Sequence, residues 1–326
     1  ARLVTNTVIQ EAIIMTNLRT FSLTNTPEYE INFLKYLKNV NHNYPDLVAG
    51  LDKHTGGFEL PSMLLAQYEK LIKKESLFRQ LATSLTAYHT PSKIMAKLCN
   101  DTAAFIPEGE AVSPYDAMDD FVQKNINGHK MCSLIRLDED FVHDRQFNLE
   151  KHLVERLSRS FGRTESNAFI NGTGIDMPIG ILNKTDSADI GVTSPALTYD
   201  NVIKLYFSVK PEYRSRGVWL MNDETAFTLR TLKDDNGNYL WRDSDDTILG
   251  KKVLFSEFMP NATAGNKPIA FGDFSYYWIC DMSQVSIQTL IENFAVLDQI
   301  GYLSNQFLDG RLVRSEAVKV IQVNKA

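Results

Sequence analysis

A chain of 326 residues with 44% hydrophobic and 23% charged side chains is composed like an ordinary soluble folder and buries roughly three quarters of its unfolded surface without disulfide or metal staples, which excludes disordered and fibrous classes. Its 34 Lys and Arg against 40 Asp and Glu leave a formal charge of -6, so no global electrostatic attraction drives it onto nucleic acid. Cys99, Cys132 and Cys280 are an odd number at wide spacing, fitting neither a disulfide framework nor a Cys-x-x-Cys zinc site and pointing to a reducing cytosol during synthesis.

No apolar run approaches the ~20 residues that span a bilayer, and the amino end lacks a basic-then-apolar signal pattern, so a soluble, cytosolic product is expected. The sequence starts at Ala1; methionine removal, an expression boundary or cleavage of a precursor would each give that start. Residues 1 to about 58 are polar and weakly periodic, with a helical stretch near Glu28 to Lys38 and a turn-rich stretch through Gly50, Gly56 and Gly57, which reads as an extended arm. From Pro61 to about Lys74 the apolar Met63, Leu64, Leu65, Tyr68, Leu71 and Ile72 recur at helical spacing, and Pro61 occupies a permitted first-turn position.

Between Ala103 and Asp138 lies a 36-residue segment whose ends, Ala103 to Ile106 and Met131 to Leu137, are strand-like around a charged, irregular middle. Loops far longer than ~15 residues are uncommon in compact domains and usually functional. If the ends pair as a hairpin, the middle projects beyond the body. An isolated two-stranded ribbon is marginal in water, so its natural support is a neighbouring subunit.

Asn148 is placed to cap a helix running through about Ile170, with Leu149, Leu153, Val154, Leu157, Phe161, Ala168 and Phe169 mostly along one face, a rod of roughly 33 Å. After Ile181 short strands alternate with helices: a helix near Tyr199 to Val209, a strand at Val218 to Met221, and a helix over Asp223 to Leu232. Asn222 caps the last of these, Asp223 and Glu224 favour its positive end, and Asn236-Gly237 forces a tight turn. Further strands are expected at Lys252 to Ser256, Ile269 to Phe271, Tyr277 to Cys280, Val285 to Leu290 and Leu312 to Val323.

Catalytic patterns are mostly missing. Asn171-Gly172-Thr173-Gly174 lacks the third glycine of a dinucleotide fingerprint, where Met177 stands, and follows a helix; a helix terminus using glycine's left-handed freedom explains it better. Leu249-Gly250-Lys251-Lys252 has Asp245 where a phosphate loop needs glycine, and reads as a surface turn before a strand. There is no Gly-x-Ser-x-Gly elbow and no His-Glu-x-x-His helix among the six histidines. Asp138, Glu139, Asp140, Asp144 and His143 could gather a hard cation, but a solvated acidic turn before a helix is the simpler reading. His143 and His152, nine apart, would not share a helix face, and Cys99 with His89 lacks a third group for thiol catalysis. No catalytic, cofactor-binding or metal-ligating residue is assigned.

Several segments, in order, resemble the major capsid proteins of tailed phages with the Hong Kong 97-type fold. Gly56-Gly57-Phe58-Glu59-Leu60-Pro61 is similar to that family's Gly-Gly-x-Leu-Val-Pro element, followed by a helix and a Ser-x-hydrophobic-Arg stretch at Ser76 to Arg79. Phe105 to Ala111 and Leu137 to Phe141 resemble the segments that open and close its extended loop. Phe161 to Leu182 resembles the end of its spine helix with the Gly-x-Gly and Pro-x-Gly-Ile-Leu elements, the most specific stretch. Trp219 to Tyr239 resembles its Trp-x-Met-Asn helix and Lys-Asp-x-x-Gly turn, and Gly272-Asp273-Phe274 and Leu308-Asp309-Gly310 resemble later elements.

The resemblance implies an α+β capsid fold: an N-terminal arm (1–60), a first part of a peripheral domain (61–102), an extended loop (103–138), the peripheral domain with its spine helix (139–185), an axial domain (186–286) and return strands (287–326). It implies the major capsid protein of a tailed bacteriophage or related prophage element, a homo-oligomer of pentamers and hexamers in an icosahedral shell. Portal, scaffold or head-maturation protease and non-specific contact with packaged DNA are its implied partners, the host cytoplasm during assembly and then the virion its location. Mild acidity suits a wall that must not adhere to the polyanion inside.

Some family members weld their shells through a Lys to Asn isopeptide bond assisted by Glu. Here the corresponding region, Asn293 to Phe307, offers Leu297 or Asp298 and Ser304 or Asn305, and no lysine occurs from Glu108 to Phe121, although Lys124 and Lys130 follow; no cross-link is expected. The rival readings are an encapsulin-like compartment and a soluble enzyme using His89, Cys99 or the acidic cluster at Asp138.

Overall fold

The computed structural model describes residues 24–39, 44–52, 55–86, 93–97, 121–144, 146–241 and 246–324. Its α-helices are α1 (Pro27–Leu37), α2 (Ser62–Glu75), α3 (Phe78–Leu81), α4 (Glu139–His143), α5 (Leu149–Asn171), α6 (Tyr199–Ser208), α7 (Pro211–Arg214) and α8 (Asp223–Arg230). Its strands are β1 (Phe58–Glu59), β2 (Thr83–Thr86), β3 (Lys93–Lys97), β4 (Phe121–Asn125), β5 (His129–Asp138), β6 (Asp189–Ser194), β7 (Val218–Met221), β8 (Thr247–Ile248), β9 (Lys251–Phe255), β10 (Ile269–Gly272), β11 (Tyr277–Asp281), β12 (Ser286–Leu290), β13 (Gln299–Leu312) and β14 (Val318–Val323).

β13 organises the first sheet. From Gln299 to Leu308 it pairs antiparallel with β5, while β12 and β11 pair antiparallel with its earlier and later halves. β1 flanks β12, and β2 runs parallel to β11. In β5 the period of two is plain: Lys130, Cys132, Leu134, Arg136 and Asp138 are exposed, and the intervening residues turn inward. Beneath the sheet lie α2 and α5. Leu64, Tyr68 and Ile72 of α2 meet Leu153, Leu157 and Phe161 of α5, with Ile300 and Tyr302 of β13, because spacings of three and four put each set on one helix face. Asn148 caps α5, its side-chain oxygen accepting the Lys151 N–H at 2.9 Å.

The second sheet runs β6-β14-β10-β7-β9-β8. Its central strands are apolar almost throughout because both faces are covered. Trp219, Met221, Ile269 and Phe271 face Val202 and Leu205 of α6 and Ala226 and Leu229 of α8. Leu220, Ala270, Val318 and Val320 face the other way, onto Phe169 and Ile170 at the end of α5 and onto Phe78 and Tyr277. This shared cluster joins the two sheets.

Three expectations change. The arm reading is corrected for its later part: α1 carries Tyr29, Phe33 and Leu37 at intervals of four, and these with Leu47 and Leu60 are buried in the first core. Met131 to Leu137 is a strand, but it pairs with β13, and the ribbon is formed by β3 and β4 (Lys97 opposite Phe121); Ala103 to Ile106 lies outside the described residues. Leu312 to Val323 is two elements: β13 ends in the first sheet, a 3-10 turn covers Ser315–Ala317, and β14 joins the second sheet instead of returning to the first. Apolar residues on both sides of that turn hide the crossing from a pattern reading.

Candidate assembly elements

At the end of α5 the chain doubles back on itself. The Gly180 N–H donates to Gly172 O at 3.0 Å, Ile181 N–H to Phe169 O at 2.9 Å, and Leu182 N–H to Ile170 O at 3.0 Å. Gly172 has φ -58° and ψ 142°, so the left-handed freedom expected of it is not what it supplies. A Cβ there would stand 2.1 Å from Pro178 O, and only a hydrogen fits between the two backbones. Gly174 is the left-handed residue, at φ 80°. The Tyr277 hydroxyl donates to Ile179 O at 2.8 Å, pinning the loop to β11, while Ile175 and Met177 at its tip are exposed.

The Ser76 to Arg79 stretch supplies a buried bridge. Arg79 on α3 donates from Nε and Nη2 to both Glu165 oxygens (2.9 and 2.7 Å) and from Nη1 and Nη2 to both Asp281 oxygens (2.6 and 2.7 Å). One planar guanidinium thus ties α3 to α5 and to β11, the two-sided fork for which arginine is suited and lysine is not. The Glu165 side chain is 0% exposed; burial pushes its carboxyl above the usual range, and Arg79 opposes that. Beside the bridge a cavity of about 160 Å³ is lined by Tyr68, Ser84, Thr86, Asp281 and Gln306. Tyr68 donates to Gln306 Oε1 at 2.9 Å, and Gln306 Nε2 to Asp281 Oδ1 at 3.3 Å.

The root of the ribbon is held by a third set. Asp309 of β13, in the Leu308-Asp309-Gly310 element, accepts the Asn127 N–H at 2.8 Å and the Gly310 N–H at 2.7 Å, with His129 Nε2 at 3.7 Å. Burial raises the Asp309 carboxyl, and these N–H donors, His129 and Arg311 pull it back. Lys124 at the end of β4 pairs with Asp186 at 2.5 Å, and Arg311 lies 3.6 Å from the same carboxylate.

The residues weighed as chemistry stand apart. Asp138 ends β5, and Glu139, Asp140, His143 and Asp144 are exposed on or beside α4. His143 lies 3.8 Å from Glu139, and His152 sits on α5 with its ring 5.2 Å from that of Phe147. Among the described residues no group of three or more His, Cys, Asp or Glu could hold a metal, and no helix is long and apolar enough to cross a membrane. His89 and Cys99 lie outside the described residues. Cys280 is buried, its thiol pushed up to about 11 by desolvation. Gly250 sits in a turn before β9, as expected. Ser304 and Asn305 are each 1% exposed on β13, while Leu297 is exposed. The Arg79 bridge was missed by the sequence reading; its one signal was Glu165, a carboxylate on the apolar face of α5.

Residues 56–323 match the model of the phage capsid family. Among solved structures, the chain is similar to the capsid of a native GTA particle computed with C5 symmetry (24% identity, TM-score 0.65, covering 77% of this chain and 91% of that one) and to that of an empty GTA particle (24%, 0.68, 77% and 90%). It is also similar in fold to a chain of Gordonia phage Cozz (14%, 0.54, 77% and 87%). The comparison with curated proteins gives no match. With the family match spanning both sheets, the spine helix and the ribbon root, the chain belongs to the phage capsid family and is a major capsid protein.

Proposed function

We propose that identical copies close into rings of five and six, and that these form an icosahedral head around double-stranded DNA, with no catalytic residue, cofactor or metal in the subunit. In this reading 1–60 is the arm, amended in that α1, Leu47 and Leu60 pack in the first core; 61–102 and 139–185 are the peripheral domain; 103–138 is the extended loop, amended to begin at β3 and to end before β5; 186–286 is the axial domain without β11, which belongs to the first sheet; and 287–326 is the return, amended in that β14 completes the axial sheet. Portal, scaffold or head-maturation protease are the transient partners in the host cytoplasm, and the virion is the destination.

The observation that carries the reading is the β3–β4 ribbon, which forms a two-stranded sheet of its own. Two strands alone are marginal in water, and closed symmetry offers every copy the same neighbour to lie on. Individually modest contacts repeated around each subunit then give a sturdy shell. Electron microscopy of the purified protein tests this: uniform round shells are expected, and a monomer at high concentration would overturn it. The contents of the shells, DNA or a cargo enzyme, separate a phage head from an encapsulin-like compartment.

A further inference from the structure

The sequence contains three Asn-Gly steps, Asn127-Gly128, Asn171-Gly172 and Asn236-Gly237. An asparagine before glycine is open to attack by its own backbone: the glycine nitrogen bonds to the asparagine Cγ, and glycine has no Cβ to obstruct the approach. The five-membered ring closes only when that nitrogen is not committed to a hydrogen bond and the side-chain amide is free to swing against it. The fold treats the three steps differently.

Asn171 ends α5. Its Nδ2 donates to Asn167 Oδ1 at 3.0 Å and to Phe258 O at 2.8 Å, and the Gly172 N–H closes the helix on Ala168 O at 2.8 Å. Attacking and attacked groups are thus both held. Asn236 lies in an exposed turn, but the Gly237 N–H donates to Asp234 O at 3.0 Å, and the N–H groups of Asn236 and Asn238 both donate to Asp234 Oδ1. Asn127 and Gly128 are exposed and belong to neither β4 nor β5, and among the described residues the Gly128 N–H donates to no acceptor. The chain is fixed just before the step, with Ile126 buried and the Asn127 N–H on Asp309.

We propose that Asn127 is a modification site at the root of the ribbon, where Gly128 displaces ammonia from the Asn127 side chain and water completes the conversion to isoaspartate or aspartate. The Gly128 N–Cγ bond forms, the Cγ–Nδ2 bond breaks, and the Gly128 proton leaves with Nδ2 as ammonia. Water then opens the succinimide at Cγ to give aspartate, or at the main-chain carbonyl carbon to give isoaspartate. Either product carries a new carboxylate on the residue whose N–H Asp309 accepts at 2.8 Å. Asp309 is 2% exposed, so like charges meet where water screens them poorly. The isoaspartate also inserts a methylene into the main chain between Asn127 and Gly128. The conversion therefore loosens the tie between the ribbon root and β13, within one subunit and whatever that subunit assembles into.

The test holds the unassembled full chain at mildly alkaline pH and follows its proteolytic peptides by mass spectrometry, with isoaspartyl methyltransferase labelling to count isoaspartate. A hydrogen bond of ordinary net strength keeps an N–H closed by a factor of about two to ten, so Asn127 should convert about two- to tenfold faster than Asn236. Asn171, held at both groups, should be slower than either. In urea the three rates should converge, because their order comes from the fold. Equal rates in the folded chain, or Asn236 or Asn171 leading, overturn the proposal. N127Q keeps the backbone N–H that Asp309 accepts and is aged in parallel. Amide exchange over Phe121–Asn125 should quicken in the aged wild type and not in aged N127Q; equal exchange in the two overturns the loosening.

Discussion

Replacing Arg79 by alanine should expose how the bridge is balanced. The substitution leaves Glu165, whose side chain is 0% exposed, facing the interior without a counter-ion, while Asp281, at 18%, keeps some water. A fully buried carboxylate escapes this by taking up a proton. Against an ordinary value of 4.5, holding that proton at pH 7 costs about 3.4 kcal/mol at ~1.36 kcal/mol per pH unit, and at pH 5 about 0.7 kcal/mol. The ionic part of the penalty is therefore capped near 3.4 kcal/mol at neutrality, within the ~3–5 kcal/mol that breaking a buried pair generally costs.

The sign follows from linkage. In the variant the folded carboxyl is raised above its unfolded value, so the folded state holds a proton that the unfolded chain releases, and stability falls as pH rises above about 4.5. Urea unfolding of the unassembled protein at pH 5 and pH 7, wild type beside Arg79→Ala, reads the difference. Because burial already raises the Glu165 carboxyl in the wild type, the deficit should shrink on acidification by at most about 3 kcal/mol. A deficit independent of pH would refute the argument and leave lost packing as the cause. Arg79→Lys should recover only part of the loss, because an ammonium cannot fork to two carboxylates.

Other outcomes follow from local geometry. Gly172→Ala places a methyl 2.1 Å from Pro178 O and 2.3 Å from Ala168 O and should cost about 3 kcal/mol or more, whereas Gly237→Ala, with nothing within 4 Å but φ 81°, should cost about 1 kcal/mol; chemical denaturation of the two side by side checks the contrast. Burial and neighbouring Asp52 raise Glu59 to about 7, so its folded form retains a proton between pH 4.5 and 7 and stability declines across that window as pH rises. Glu59→Gln should flatten the pH profile by about 1 kcal/mol, allowing for screening. Denaturing gels of assembled material should show monomer only, since Asn305 is 1% exposed on β13; a ladder of slower bands would refute this.

How legible the fold was depended on what sets each element. Caps and helix faces are local, so Asn148, Asn222 and the stripe from Leu149 to Phe169 placed α5 and α8 within a residue or two. β13 was the main loss. Its buried positions include Ser304, Asn305, Gln306 and Asp309, polar residues that break an apolar pattern; Gln306 and Asp309 are held by Tyr68 and Asn127, partners distant in sequence, while the Asn305 amide is buried with no hydrogen-bond partner among the described residues. The Arg79 bridge was invisible for a related reason: its three members are 86 and 202 residues apart along the chain, and pairing over such separations leaves no periodic trace. The glycines at 172 and 174 were noticed, but the reason for the first is a neighbouring backbone, which only the folded chain supplies.

β13 also explains how the ribbon and the spine come to act together. Tyr302 and Gln306 face the first core and the Arg79 bridge, through Leu37 O and Tyr68, while Asp309 on the opposite face holds Asn127 at the ribbon root. In a strand, residues of opposite parity point to opposite faces, so one fourteen-residue element carries both the interior anchor and the bond that holds the ribbon root. Asp309 thus ties the ribbon root to β13, which pairs with β5 from Gln299 to Leu308. The same strand reaches α5 through Gln306, Asp281 and Arg79. Within a subunit the ribbon root is therefore joined to α5 by side-chain and ladder bonds that the subunit makes by itself, with no contribution from another copy.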